Sequence, residues 1–116
     1  MAVTRIVPNI AAPDVAAAQA FYGDILGMRP VMDFGWIVTF AAESATTPQV
    51  SIATEGGAGT PVPDISVEVD DFDAVLARVV EAGLAIEHGP ATEDWGVRRF
   101  FVRDPFGRLV NILSHA

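Results

Sequence analysis

The stretch FFVRDPFGRLVNIL, Phe100–Leu113, reads as strand, tight turn and strand. DPFG suits a type I turn, with Pro105 at its second position and Gly107 at its fourth. Side chains alternate along a strand, so Val110 and Ile112 take one face and Leu109, Asn111 and Leu113 the other. Asn111 is an amide in an otherwise apolar strand. A buried amide needs hydrogen-bond partners, so its face is expected to meet water or a ligand rather than a dry core.

Working outward, AIEHG before this strand pair supplies a further run in the strand position, loop-like around His88 in AIEHGP, with the helix DFDAVLARVVEAG, Asp71–Gly83, ahead of it. Phe72, Val75, Leu76 and Val79 form the apolar stripe of that helix. Asp71 offers an N-cap carboxylate and Gly83 a left-handed end. DISVEV, Asp64–Val69, precedes the helix as a strand. An earlier part of the chain has the same order. TRIVPNI, Thr4–Ile10, leads to the helix candidate DVAAAQAFYGDILG, Asp14–Gly27, with Val15, Ala18, Tyr22 and Ile25 on one face. RPVMDF and WIVTFA then meet near Phe34-Gly35, and QVSIAT, Gln49–Thr54, follows. The two N-cap candidates stand 57 residues apart in a chain of 116.

The order is therefore βαβββ, twice. Module 1 covers residues 1–54 and module 2 residues 64–116, within a single domain of residues 1–116. EGGAGTPVP, Glu55–Pro63, reads as a flexible linker that lets modules pair within or between chains. A four-stranded unit with one helix covers one sheet face, and a second unit is the natural partner for the other. The expected fold class is α+β, an open, curved mixed-sheet half-barrel with helices outside and a cleft within. Ile65, Val67 and Val69 should face the helix, leaving Asp64, Ser66 and Glu68 for the cleft. Val50 and Ile52 should do the same, leaving Gln49, Ser51 and Ala53, and in the first strand Ile6 and Ile10 leave Val7 and Asn9.

Composition narrows the function. The chain is 51% apolar and has no cysteine, which excludes disulfides and thiolate metal sites. Seven basic against 15 acidic residues give a formal charge of −8, a field that repels nucleic-acid phosphates and draws cations. No apolar run approaches the ~20 residues that span a bilayer, and MAVTRIVPNIAAP does not have the form of a signal peptide. A cytoplasmic protein with no nucleic-acid or membrane partner is expected.

DVAAAQAFYGDILGM, VEVDDFDAVLARVVEAG and FFVRDPFGRLVNIL, in that order, resemble the vicinal oxygen chelate superfamily of glyoxalase I, extradiol dioxygenases and bleomycin-resistance proteins. In the superfamily's enzymes, four cleft-facing positions, usually His, Gln or Glu, hold a divalent metal. The matching positions here are Val7, Asp64, Asn111 and either Ser51 or Gln49. Valine has no donor, and serine and asparagine are weak neutral ones, so neither a metal nor another cofactor is expected. His88 and His115 fall outside these positions and read as surface residues.

The chain further resembles the metal-free bleomycin-resistance proteins through IVPNIAAPDVAAAQAFYGDILGM and EDWGVRRFFVRDPFGRLV. That resemblance implies sequestration of an aromatic, antibiotic-like ligand, cationic in the analogy, at a homodimer cleft and without turnover. The residues it singles out for ligand binding are Phe34, Trp36, Phe40, Ser51, Asp64, Trp95, Arg99 and Asn111. Trp95 and Phe34 would stack, Trp36 and Phe40 would line or fill the first module's cleft, and Arg99 would point inward near Trp95. The alternative is a glyoxalase-like or dioxygenase-like lyase, isomerase or oxygenase. It would use an atypical metal site at Asp64, Gln49 and Asn111, or a lone carboxylate, Asp64 or Glu68, as general base.

Overall fold

The structure is a computed structural model and describes residues 3–19, 22–23, 28–41, 49–104 and 107–115. Among the described residues, eight strands and one helix follow the chain as β1 (Val3–Ala11), β2 (Arg29–Asp33), β3 (Ile37–Ala41), β4 (Gln49–Ala53), β5 (Ile65–Val69), α1 (Phe72–Glu81), β6 (Ile86–Thr92), β7 (Val97–Arg103) and β8 (Leu109–His115). Hydrogen-bonded neighbours run in the order β2-β3-β4-β1-β5-β8-β7-β6, an open mixed sheet in an α+β fold. The chain divides into two compact units, Val7–Val62 and a second made of Met1–Ile6 with Pro63–Ala116. Strand β1 thus begins in the second unit, where Thr4 Oγ1 donates to the Glu68 carbonyl at 3.2 Å, and continues in the first.

In the second unit the core is built on the face that sequence alternation assigns to the helix. Val69, Phe72, Phe100, Val102 and Ile112 form its buried centre, with Val67, Val75, Leu76, Val79 and Val110 packed around it. Phe72 and Phe100 meet edge to face at 5.4 Å, a favoured geometry for ring quadrupoles. Arg98 lays its guanidinium 4.3 Å from the Phe72 ring centre and reaches Asp73 at 2.9 Å, so the cation rests on the aromatic face and pairs with a carboxylate. Asp71 caps α1 by accepting from the Ala74 N–H at 3.1 Å, and Gly83 takes φ +73° just past the helix end, as the sequence predicts.

Parallel pairing of β5 with β8 and antiparallel pairing of β8 with β7 set the registers Ser66↔Asn111↔Phe101 and Glu68↔Leu113↔Arg99. AIEHG forms a strand, as the repeated order expects, and it runs on as β6 through Thr92, so the loop-like reading around His88 is corrected: β6 pairs with β7 through a bulge between His88 and Ala91. Gly89 sits in that bulge at φ +80°, and a Cβ there would lie 2.5 Å from the Arg99 carbonyl oxygen. Only glycine allows this approach of β6 to β7.

In the first unit Ala18, Val38, Phe40 and Ile52 form the core, with Ala12, Val15, Tyr22, Met28 and Val50 packed against it. Part of the helix candidate Asp14–Gly27 lies outside the described residues. Within the described part, Asp14 accepts from the Ala16 N–H at 3.0 Å, as a capping carboxylate should. Ile6 and Ile10 do not bury as expected; they are 59% and 41% exposed, whereas Val7 is buried. The described core of the first unit is centred on β3 and β4, so Ile10 lies at its margin. The two inner residues of the DPFG turn are outside the described residues. Its ends are pinned, Gly107 N–H to the Asp104 carbonyl at 3.1 Å and Arg108 N–H to the Asp104 carboxylate at 2.9 Å.

The glycine-rich linker is tighter than its composition suggests. Gly56 donates to the Thr60 carbonyl at 2.7 Å, Thr60 Oγ1 donates to the Gly57 carbonyl at 2.7 Å, and the Glu55 carboxylate accepts from Gly59 at 3.1 Å. A Cβ on Gly56 would stand 2.1 Å from the Pro61 carbonyl oxygen, so here glycine serves close packing and not freedom.

Candidate functional site

On the sheet face opposite α1, the second unit carries a run of polar and aromatic groups. Arg99, from β7, is 3% exposed. Its guanidinium lies 4.9 Å from the Trp95 ring centre and 4.8 Å from that of Phe101, and its Nε donates to Glu93 Oε1 at 3.1 Å. The same carboxylate oxygen is 2.8 Å from His88 Nε2, and the His88 ring tilts against Phe101 at 5.2 Å. A buried cation is costly unless paired, and here one carboxylate and two π faces hold it. Burial by itself raises the Glu93 carboxyl, but hydrogen bonds from His88 and Arg99 outweigh it and hold the group below the ordinary carboxylate range. Burial pulls the Arg99 guanidinium below its usual value, against the hydrogen bond and charge of Glu93.

The sequence places Arg99 beside Trp95 correctly but misses Glu93 and His88, which join them through the β6–β7 register. His88 is half-buried and partnered, contrary to a surface role. A signal for Glu93 does exist: EDWG is a turn between two strands, and Glu93 N–H donates to the Val97 carbonyl at 2.7 Å across it.

Next to this cluster, Asn111 is 7% exposed. Its Nδ2 donates to Ser66 Oγ at 3.2 Å, whereas Oδ1 is buried and has no hydrogen-bond partner among the described residues. Such an acceptor costs about 1–3 kcal/mol. Asp64 is exposed at the edge of β5 and accepts from the Leu109 N–H at 2.8 Å, while its own N–H donates to the Leu109 carbonyl at 2.8 Å. It joins the start of β5 to β8. Glu68 lies between Arg5, at 3.2 Å, and His115 Nδ1, at 2.7 Å.

In the first unit, Ser51 is 3% exposed and shares a 2.7 Å hydrogen bond with Thr39. Asn9 lies in register with Ser51 across β1 and β4, so Asn9 and not Val7 is its strand partner. Phe40 is 1% exposed and fills the core with Val38 and Ile52; it does not face a ligand surface. Core packing decides the face of Phe40, and it goes to the side of Val15, Ala18 and Tyr22. Trp36 is half-buried, and Phe34, 45% exposed, stands 6.4 Å from it at the β2–β3 turn. Gln49 is half-buried at the start of β4. The sequence also does not reveal an apolar cavity of about 370 Å³ on the helix side of the second unit, lined by Leu84, Val102, Arg103, Asp104 and Val110.

A family model, the Glyoxalase/Bleomycin resistance protein/Dioxygenase superfamily, matches residues 3–112. The chain belongs to this superfamily. A search of curated proteins finds no match to it. Among solved structures, one described as an NAD-dependent benzaldehyde dehydrogenase from Legionella pneumophila is 14% identical, with a TM-score of 0.75 over 97% of this chain and 100% of that one. A superfamily member from Vibrio splendidus 12B01 is 21% identical, with a TM-score of 0.64 over 97% and 98% of the two chains. Methylmalonyl-CoA epimerase from Mycobacterium tuberculosis is 22% identical, with a TM-score of 0.70 over 98% and 89%. These likenesses show the fold.

The side chains at the positions that resemble the superfamily's metal ligands do not suit a divalent metal. Val7 is buried and has no donor atom. Asp64 spends a carboxylate oxygen on Leu109 N–H, and Ser51 spends its hydroxyl on Thr39. Asn111 supplies one neutral oxygen. Among the described residues no group of three or more His, Cys, Asp or Glu side chains is arranged to hold a metal ion.

Proposed function

We propose that this superfamily member is a metal-free small-molecule binder of the bleomycin-resistance type. In this reading it sequesters an aromatic ligand, drawn from antibiotic-like cations, as a cytoplasmic homodimer, with no turnover. The observation that carries it is the Asn111 amide. Where the superfamily's enzymes usually place His, Gln or Glu, this chain places the short amide of Asn111, whose oxygen is buried and without a partner among the described residues, next to the aromatic cluster of Trp95 and Phe101. A neutral acceptor and ring surface orient an organic ligand, while apolar burial supplies the binding energy at ~25 cal/mol per Å².

The test uses the purified chain, prepared without chelators. Trp36 and Trp95 fluorescence should change on titration with bleomycin or with polycyclic aromatic cations, and elemental analysis should find Mn, Fe, Ni and Zn well below one per chain. Stoichiometric metal held by side chains at Asp64, Gln49 or Asn111 would overturn the reading.

A second reading, a lyase or isomerase that moves a proton, has one observation in its favour. Glu68 holds His115 Nδ1 at 2.7 Å, which turns the other ring nitrogen outward in the manner of an oriented general base. His115 has a side chain 57% exposed, so bulk water competes with a substrate there, and binding is the better supported function.

A further inference from the structure

The two units share one strand plan and differ in the chemistry of one row across it. In the first, Ser51 on β4 lies opposite Asn9 on one side and Thr39 on the other, and Thr39 satisfies it. In the second, Asn111 on β8 lies opposite Ser66 and Phe101. Phe101 therefore stands where Thr39 stands, and a phenyl ring has no hydroxyl to give. This explains why Asn111 Nδ2 finds Ser66 while Oδ1 is left buried and unpaired among the described residues. Buried polar atoms in native proteins nearly always have partners, and an exception calls for a ligand or a function.

We propose that Asn111 Oδ1 accepts a hydrogen bond from an N–H group of a flat aromatic amine. The inference rests on the small-molecule-binding reading above and names its ligand class. A donor is required because the stranded atom is an acceptor. A ring is favoured because the neighbouring Arg99 cluster carries Trp95, an indole only half-buried. A cation is tolerated because Glu93 compensates Arg99 at 3.1 Å, and the formal charge of −8 attracts it.

Two acridine dyes separate the outcomes. Proflavine carries two amino groups with N–H donors; N-methyl acridine orange carries the same flat cationic core with every nitrogen, the ring nitrogen included, methylated. The wild-type chain should bind proflavine about tenfold or more tighter, because a buried acceptor discriminates strongly against a ligand that cannot donate to it. Asn111→Leu should erase that preference while leaving the thermal midpoint no lower than wild type, since leucine fills a similar volume without a stranded amide. Asn111→Asp, which keeps the shape and adds charge to the acceptor, should bind proflavine at least as tightly as wild type. A preference that survives in Asn111→Leu, is missing in the wild type, or vanishes in Asn111→Asp overturns this inference and leaves small-molecule binding standing. Failure of the wild type to bind either dye overturns both.

Discussion

Arg99 shows how much one residue's setting depends on its neighbours. Its side chain is 3% exposed, and Glu93, 9% exposed, is the carboxylate that keeps its charge compatible with burial. Removing one member of such a pair strands the other, so Glu93→Gln should lose about 3 kcal/mol in urea unfolding at pH 7. The pH dependence has a definite sign. Donors hold folded Glu93 below its ordinary value of 4.5, so its stabilisation is fully present above that pH and is lost as pH falls through the lower folded value. Wild-type stability should therefore drop more steeply below pH 4.5 than that of Glu93→Gln, measured as unfolding midpoints across an acid series. The sequence reading places Arg99 beside Trp95, but Glu93 and His88 reach it only once β6 and β7 are aligned.

At the scale of elements, α1 and the β6 bulge make separable predictions. Asp71 accepts from Ala74 N–H at 3.1 Å, and Asp71→Ala should cost about 1 kcal/mol, read as a lowered thermal midpoint by circular dichroism. Gly89→Ala should cost more, about 2–3 kcal/mol, because it meets both a positive φ of +80° and a carbonyl oxygen at 2.5 Å. If β6 were the loop that AIEHGP suggests, that substitution would be nearly silent. The helix stripe Phe72, Val75, Leu76 and Val79 is legible because a period of 3.6 is written in consecutive residues. The bulge is not, since it depends on which residue of β7 lies beside Gly89.

For the whole molecule, the formal charge of −8 sets a long-range field that no single contact explains. Binding of a cationic dye such as proflavine should weaken steadily as sodium chloride rises from low salt to about 0.5 M, because screening shortens the field to a few ångströms. Titration calorimetry at three salt concentrations checks this, and salt-independent affinity would place recognition in short-range contacts alone. Legible in the sequence alone are the strand order of both halves, the helix α1 with its caps, the apolar side of β4, β5 and β8, and the charge. These are written in neighbouring residues or in simple counts. Only the tertiary structure decided that β1 is shared by the two units, that Phe40 belongs to the core, and that Phe101 rather than a hydroxyl lies opposite Asn111. Such facts depend on the register between strands distant in the chain, which is fixed by packing many side chains at once and not by the pattern within any one segment.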